Sequence, residues 1–360
     1  MFAVSRDNAH WLNTNRSVLG PDADFEEMLS SGFPPPATLV HLDGEEHRKH
    51  RKVTNDWFKP AAVKKRQPRI DELADEFVQK MRDLGGSCDF AQDVAQPFTL
   101  RVIMDIYGVP EEDEPLMLEL TQGIFGAADP EYLGDASDPQ ARVVSSVMRF
   151  IQYFNELTED RRACPADDLA TVIANGEVDN HLMEDDKRLW YYIIVATAGH
   201  DTTSFAALGA WRPCCATAPS SGCCRRTPSS SPTRRRSASA GPARSATSSA
   251  TPPTTRRSAA STSRPVGGSC SSIPRRTVTP RFSPDPETFD VRRADADQLI
   301  SFGVGAHFCL GAQFARRELR TMLGRLSREL DHIEPAGDPR WAESHFVSGV
   351  KHLPVEYAFR

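Results

Sequence analysis

Cys309 sits in the stretch Ser301 to Glu318, which reads SFGVGAHFCLGAQFARRE. Phe302, Gly303, Gly305 and His307 precede it, and Gly311 follows it at the mouth of a helical pattern. Glycines adopt turns closed to other residues and let a backbone approach a flat ligand closely. A thiol at a helix start meets free N–H groups and the positive end of the dipole, which favour the thiolate. A thiolate held in this way suits an iron ion. The plain alternative is a structural cysteine, and the long Phe-Gly-x-Gly-x-His-x-Cys-x-Gly string argues against it.

Two further groupings carry chemistry. AGHDTT, Ala198 to Thr203, falls in the middle of a long apolar pattern, where Asp201 and Thr202 set an acid beside an alcohol. Buried polar groups need partners, so such a pair makes little sense as packing alone. In HLDGEEHRKHRK, His41 to Lys52, His47 and Arg51 are four apart and share a helix face. A cationic donor pair suits a carboxylate, which Arg grips with two N–H groups.

Together the three stretches resemble the cytochrome P-450 superfamily, the haem-thiolate monooxygenases. The resemblance implies a mainly α fold with minor β. It makes Cys309 the ligand of the iron of haem b (iron protoporphyrin IX), with Phe302 beside the haem and Gly303, Gly305 and Gly311 shaping the loop. It places His47, Arg51 and His307 at the haem carboxylates and gives Asp201 and Thr202 a proton relay toward dioxygen. Ala198 and Gly199 are small and leave room there. The reaction implied is hydroxylation of a lipophilic small molecule, with electrons from a ferredoxin-type donor. Arg48, Lys49, Lys52, Lys64, Lys65 and Arg66 could dock that donor electrostatically.

Helices must position these groups. IDELADEFVQKMRDLGG carries apolar residues at helical spacing, with Gly85 and Gly86 as a stop. VVSSVMRFIQYFNELTEDRRA is a second amphipathic helix. LMEDDKRLWYYIIVATAGHDTTSFAALGA is a third, acidic in its first turn and apolar nearly all round, so it is expected to run through the interior. LGAQFARRELRTMLGRLSREL is a fourth, before a strand-like ending.

The 360 residues carry a net charge of -6, which argues against a nucleic-acid binder. No apolar run reaches membrane-span length. The N-terminal residues lack the apolar core of a signal peptide, so a cytoplasmic protein is expected; a monomer is expected as well.

The resemblance has two gaps. It begins near the family's first helical segments, so the usual N-terminal strands and helix are expected to be missing. The Glu-x-x-Arg pair expected between the Asp-Thr helix and the Cys loop has no counterpart either. From Thr202 to Pro284 there is no Asp, Glu or Lys, and five of the eight cysteines fall between Cys214 and Cys270. Arg, Ser, Pro, Ala and Thr dominate, a composition that cannot bury enough apolar surface to order itself. Reading each codon from its third base, with C or G there, turns Pro213 to Thr217 into Leu-Leu-Arg-His. The same register turns Arg236 to Ala240 into Glu-Arg-x-Arg, Ala243 to Thr247 into Pro-Val-Arg-His, and Gly267 to Ser271 into Arg-Leu-Leu-Leu. Arg276 to Arg281 becomes Asn-Arg-Asp-Pro-Ala. Agreement at several places in order points to a compensated frameshift between about Ala207 and Ser283. The chain then divides into residues 1–206 of one haem-thiolate domain, a mis-framed or disordered stretch 207–283, and residues 284–360 of the same domain.

Two other readings stand beside this one. In the first, an Arg-rich binding or scaffold module has replaced a decayed haem protein. In the second, Cys214, Cys215, Cys223 and Cys224 hold zinc, although adjacent pairs miss the usual C-x₂₋₄-C spacing.

Overall fold

In the computed structural model the described residues are 38–127, 129–134, 138–216, 244–245, 248–250, 269–271, 301–343 and 347–360. Most of them are helical. Helix α1 is Gly44–Asn55, α2 Pro60–Lys65 and α3 Gln67–Asp83; Gly85 follows α3 with φ of 76°. Strand β1, Ser87–Asp89, leads into a π-helical turn, Phe90–Ala95, which passes without a break into α4, Gln96–Tyr107. Helices α5 (Glu114–Phe125), α6 (Pro130–Leu133), α7 (Pro139–Ala163) and α8 (Leu169–Ala174) follow. A two-residue hairpin, β2 (Glu177–Val178) with β3 (His181–Leu182), turns through Asp179 and Asn180, both at positive φ.

The long helix is α9, Asp185–Ala216. Its buried residues appear on every side, from Trp190, Tyr191 and Tyr192 to Phe205, Ala206 and Leu208, as the apolar pattern required. An aromatic stack fixes its first half. The rings of Phe154 (α7) and Tyr192 stack at 4.7 Å, and the Tyr107 hydroxyl of α4 donates to the Tyr192 carbonyl at 2.9 Å. The helix also crosses the boundary drawn at residue 207 from composition. Ala206, Ala207 and Leu208 are buried good helix formers, so nothing stops the helix there.

Three short strand pieces occur farther on: β4 (Arg244–Ser245), β5 (Ser248–Ala250) and β6 (Ser269–Ser271). After the Cys309 loop come α10, Ala312–Glu329, and β7, Leu330–Pro335. Four strands close the chain: β8 (Arg340–Trp341), β9 (Val347–Ser348), β10 (Val350–His352) and β11 (Pro354–Phe359). Strand β11 lies between β1 and β7 in an antiparallel sheet, while β8 pairs with β10, β4 with β9 and β5 with β6. The expected strand ending is thus present, sewn back onto β1.

Ion pairs join the C-terminal strands to the rest. Lys351 Nζ lies 2.6 and 2.8 Å from the two carboxylate oxygens of Asp129, whose side chain is fully buried, and 2.9 Å from Glu131. His352 bridges Asp89 and Glu131 at 2.6 Å on either side. No helix among the described residues is long and apolar enough to cross a membrane.

Candidate haem-thiolate site

Cys309 is held by its loop's own backbone. Its N–H donates to the Phe302 carbonyl at 2.8 Å, closing the loop across seven residues. Gly303 and Gly305 take φ of 68° and 74°, the left-handed region that costs a side-chain-bearing residue about 1–2 kcal/mol. A 3₁₀ turn, Gly305–His307, starts at the second glycine and brings His307 inward. Gly311 is the N-cap of α10, and the backbone N–H groups of Gly311 and Ala312 reach the Cys309 sulfur.

The sulfur therefore has the helix-start environment read from the sequence, but not the thiolate that was expected to follow from it. Burial is the largest influence on the thiol and raises its pKa. The two N–H groups and the charges of Arg51 and Arg316 act in the opposite direction without overcoming it. A metal ion would reverse that balance, because a coordinating thiol gives up its proton. Cys309 is nonetheless exposed.

Helix α1 reaches the loop from the other side. The Arg51 guanidinium donates to the Phe308 carbonyl at 2.5 Å, and the His47 ring stacks on His307 at 4.1 Å. His47 is 1 % exposed, and among the described residues neither of its ring nitrogens has a hydrogen-bond partner. Burial, then the neighbouring His307 and Arg51, push its pKa down to about 4. His307 turns its Nε2 to Asp43 Oδ1 at 3.3 Å, and its pKa is also lowered, chiefly by burial. An unpartnered buried imidazole beside a guanidinium fits the carboxylates of a flat anionic cofactor.

In α9 the expected interior course is broken on one face. Ala198 and Thr202, one helical turn apart, are exposed within a helix that is otherwise buried around them. The Thr202 hydroxyl donates to the Ala198 carbonyl at 2.9 Å. Asp201 is buried at 5 % and turned away from that face; Gln96 Nε2 donates to its Oδ1 at 3.4 Å. The expectation for Gly199 needs correction. A Cβ there would stand 2.6 Å from Ile103 Cγ1 of α4, so its missing side chain is filled by a neighbouring helix and holds no open room. Ala198 alone keeps the expected place on the accessible face.

Three contacts escaped the sequence reading. Arg316 lies over the Phe302 ring at 4.3 Å, Asp43 holds His307, and Gln96 meets Asp201. Arg316 stands seven residues after Cys309, about one turn into α10, which was a usable signal. Gln96 had none, because it is 105 residues from its partner. Among the described residues no three His, Cys, Asp or Glu side chains gather to hold a metal ion. The side chains of Cys214, Cys215, Cys223 and Cys224 and the missing Glu-x-x-Arg pair lie outside the described residues.

The sequence profile of the family described as Cytochrome P450 matches residues 279–357. The chain is 32% identical over 340 residues to Cytochrome P450-terp of a Pseudomonas species, covering 92% of this chain and 79% of that protein. It is 28% identical to a Steroid C26-monooxygenase of Rhodococcus jostii, over 89% of this chain and 66% of the relative. The crystal structure of CYP108D1 from Novosphingobium aromaticivorans superposes with a TM-score of 0.83 at 31% identity, covering 99% of this chain and 87% of that one.

Proposed function

Because the chain belongs to the cytochrome P450 family and is a monooxygenase of that type, we propose that its haem-thiolate cofactor is haem b, held between the Cys309 loop and the Ala198–Thr202 face of α9. The observation that carries this reading is the meeting of α1 with the loop, where Arg51 binds the carbonyl next to Cys309 and His47 is left buried and unpartnered. Cys309 would hold the haem iron through the thiolate. Arg51, His47 and His307 would take the haem carboxylates, with a partner for His47 as the immediate gain. When bound, the haem supplies reductive activation of dioxygen and insertion of one oxygen atom into a C–H bond.

The chain's own residues do the rest. Thr202 presents a hydroxyl on the accessible face of α9, and Asp201 behind it can accept and return protons. A proton would move from Asp201 to the Thr202 side of the helix and be replaced from solvent. The relatives named as steroid and lipid hydroxylases support a lipophilic substrate. The basic residues of α1 and α2 favour an acidic ferredoxin-type donor, although Lys49 is already paired with Glu45 and Asp179. Monomeric state and cytoplasmic location belong to the same reading.

The composition of residues 207–283 supports a compensated frameshift across them. On that reading the chain as written loads haem poorly and turns over negligibly, because the residues expected to frame the Cys309 loop are replaced. Sequencing the gene across this stretch tests it. An inserted or deleted base near each end, restoring Glu-x-x-Arg, is expected; an undisturbed frame together with full haem loading would overturn it. The competing binding-module reading predicts salt-dependent nucleic-acid binding that requires the Arg-rich stretch.

A further inference from the structure

We propose that Gln96 is a positioning residue for Asp201, aimed by the π-helical turn that precedes it. The inference rests on the reading of Asp201 as a proton carrier. Asp201 is one residue from Thr202, hence turned by about 100° around α9. Its carboxylate is buried and must be held by the protein. Among the described residues Oδ1 takes both polar contacts: Gln96 Nε2 at 3.4 Å and the adjacent His200 Nε2 at 3.1 Å. His200 makes no hydrogen bond of good geometry with either ring nitrogen, which leaves Gln96 as the donor. Holding Oδ1 in this way leaves Oδ2 for the proton.

Gln96 faces Asp201 because of the turn before it. Its backbone N–H bonds to the Ala91 carbonyl, five residues back, as the last bond of the π turn. A π turn holds one more residue than an α turn, so all of α4 is rotated by roughly 100° from where an unbroken α-helix would place it. In the unbroken register Ala95 or Pro97 would face α9, and neither has a side-chain donor. Pro97 makes the change of register inexpensive, since it has no N–H to lose from the ladder. Thr99 then ties the junction to α9. Its hydroxyl oxygen lies 3.1 Å from the carbonyls of Ala95 and Gln96 and 3.2 Å from that of His200, the residue before Asp201. Backbone and side chain of this junction thus meet α9 at the acid.

The test uses the full chain and observes Asp201 itself. Subtracting the infrared spectrum of Asp201→Asn isolates the Asp201 carboxylate band. Gln96→Leu, and Gln96→Met as a second shape should the first not fold, are expected to displace that band. In urea unfolding, Gln96→Leu is expected to raise the unfolding constant about ten- to hundredfold, as for loss of a hydrogen bond to a charged group. That effect should shrink toward unity in an Asp201→Ala background. An unmoved band in the Gln96 variants, or losses that simply add, would overturn the inference whatever Asp201 does in turnover. Conversely, unaltered coupling of electrons to product in Asp201→Asn of the chain with its frame restored would remove the relay reading and leave the positioning contact standing.

Discussion

The Cys309 loop and the middle of α9 are held by different physics. The loop is a backbone object: one long-range N–H bond to Phe302, two left-handed glycines, and an arginine from α1 on the carbonyl beside the cysteine. The α9 segment is a packing object, in which Gly199 admits Ile103 and only Ala198 and Thr202 are accessible. Backbone requirements select residue types at fixed spacing, so they are visible in a sequence. Packing requirements depend on distant partners, so they are not.

The largest effect should come from the loop. Cys309→Ala removes the thiol this loop presents, and complete loss of thiolate-ligated haem is expected by optical spectroscopy. Its retention would break the comparison.

A change of pH separates the helix behind the loop from the loop itself. Glu318 of α10 is 3 % exposed, its Oε2 has no hydrogen-bond partner among the described residues, and burial pushes its pKa up to about 8. A carboxyl whose folded pKa is raised contributes stability that is full below the unfolded value of 4.5 and is lost as pH rises through about 8. Stability should therefore decline across that window by an amount on the order of a few kcal/mol. Glu318→Gln should flatten the decline in denaturant titrations at pH 5 and 9, and an unchanged profile would count against it.

Next come the two glycines. Gly199→Ala should cost about 1–3 kcal/mol by overpacking against Ile103, and Ile103→Val should recover part of it in the double variant. Gly303→Ala should cost about 1–2 kcal/mol, with no rescue from any packing partner. Calorimetry on the four proteins checks both, and rescue of the loop variant by a neighbour would erase the distinction. Thr202→Ala should have the smallest effect on stability. Among the described residues the hydroxyl meets its own helix, so unfolding should shift by less than about 1 kcal/mol, while in the chain with its frame restored electrons should be diverted from product to peroxide.

Helical spacing put His47 and Arg51 on one face of α1, and the structure brings both against the Cys309 loop. The long buried helix, the α7 pattern and the terminal strand were equally legible from periodicity. The role of Gly199 was misread because a small residue looks the same whether it leaves space or yields it to Ile103. Gln96 was invisible for a related reason: a π turn has no composition of its own, and its effect is a rotation. The extension of α9 to Ala216 was missed because composition marked a boundary where helix propensity did not.

The most direct test of the account is the ferrous–carbon monoxide spectrum of the full chain titrated with haem, beside Cys309→Ala. The account predicts the long-wavelength band of thiolate-ligated haem in the parent chain, at low occupancy, and its complete absence from the variant. Identical spectra from the two proteins would contradict Cys309 as the ligand, and with it the site as a whole.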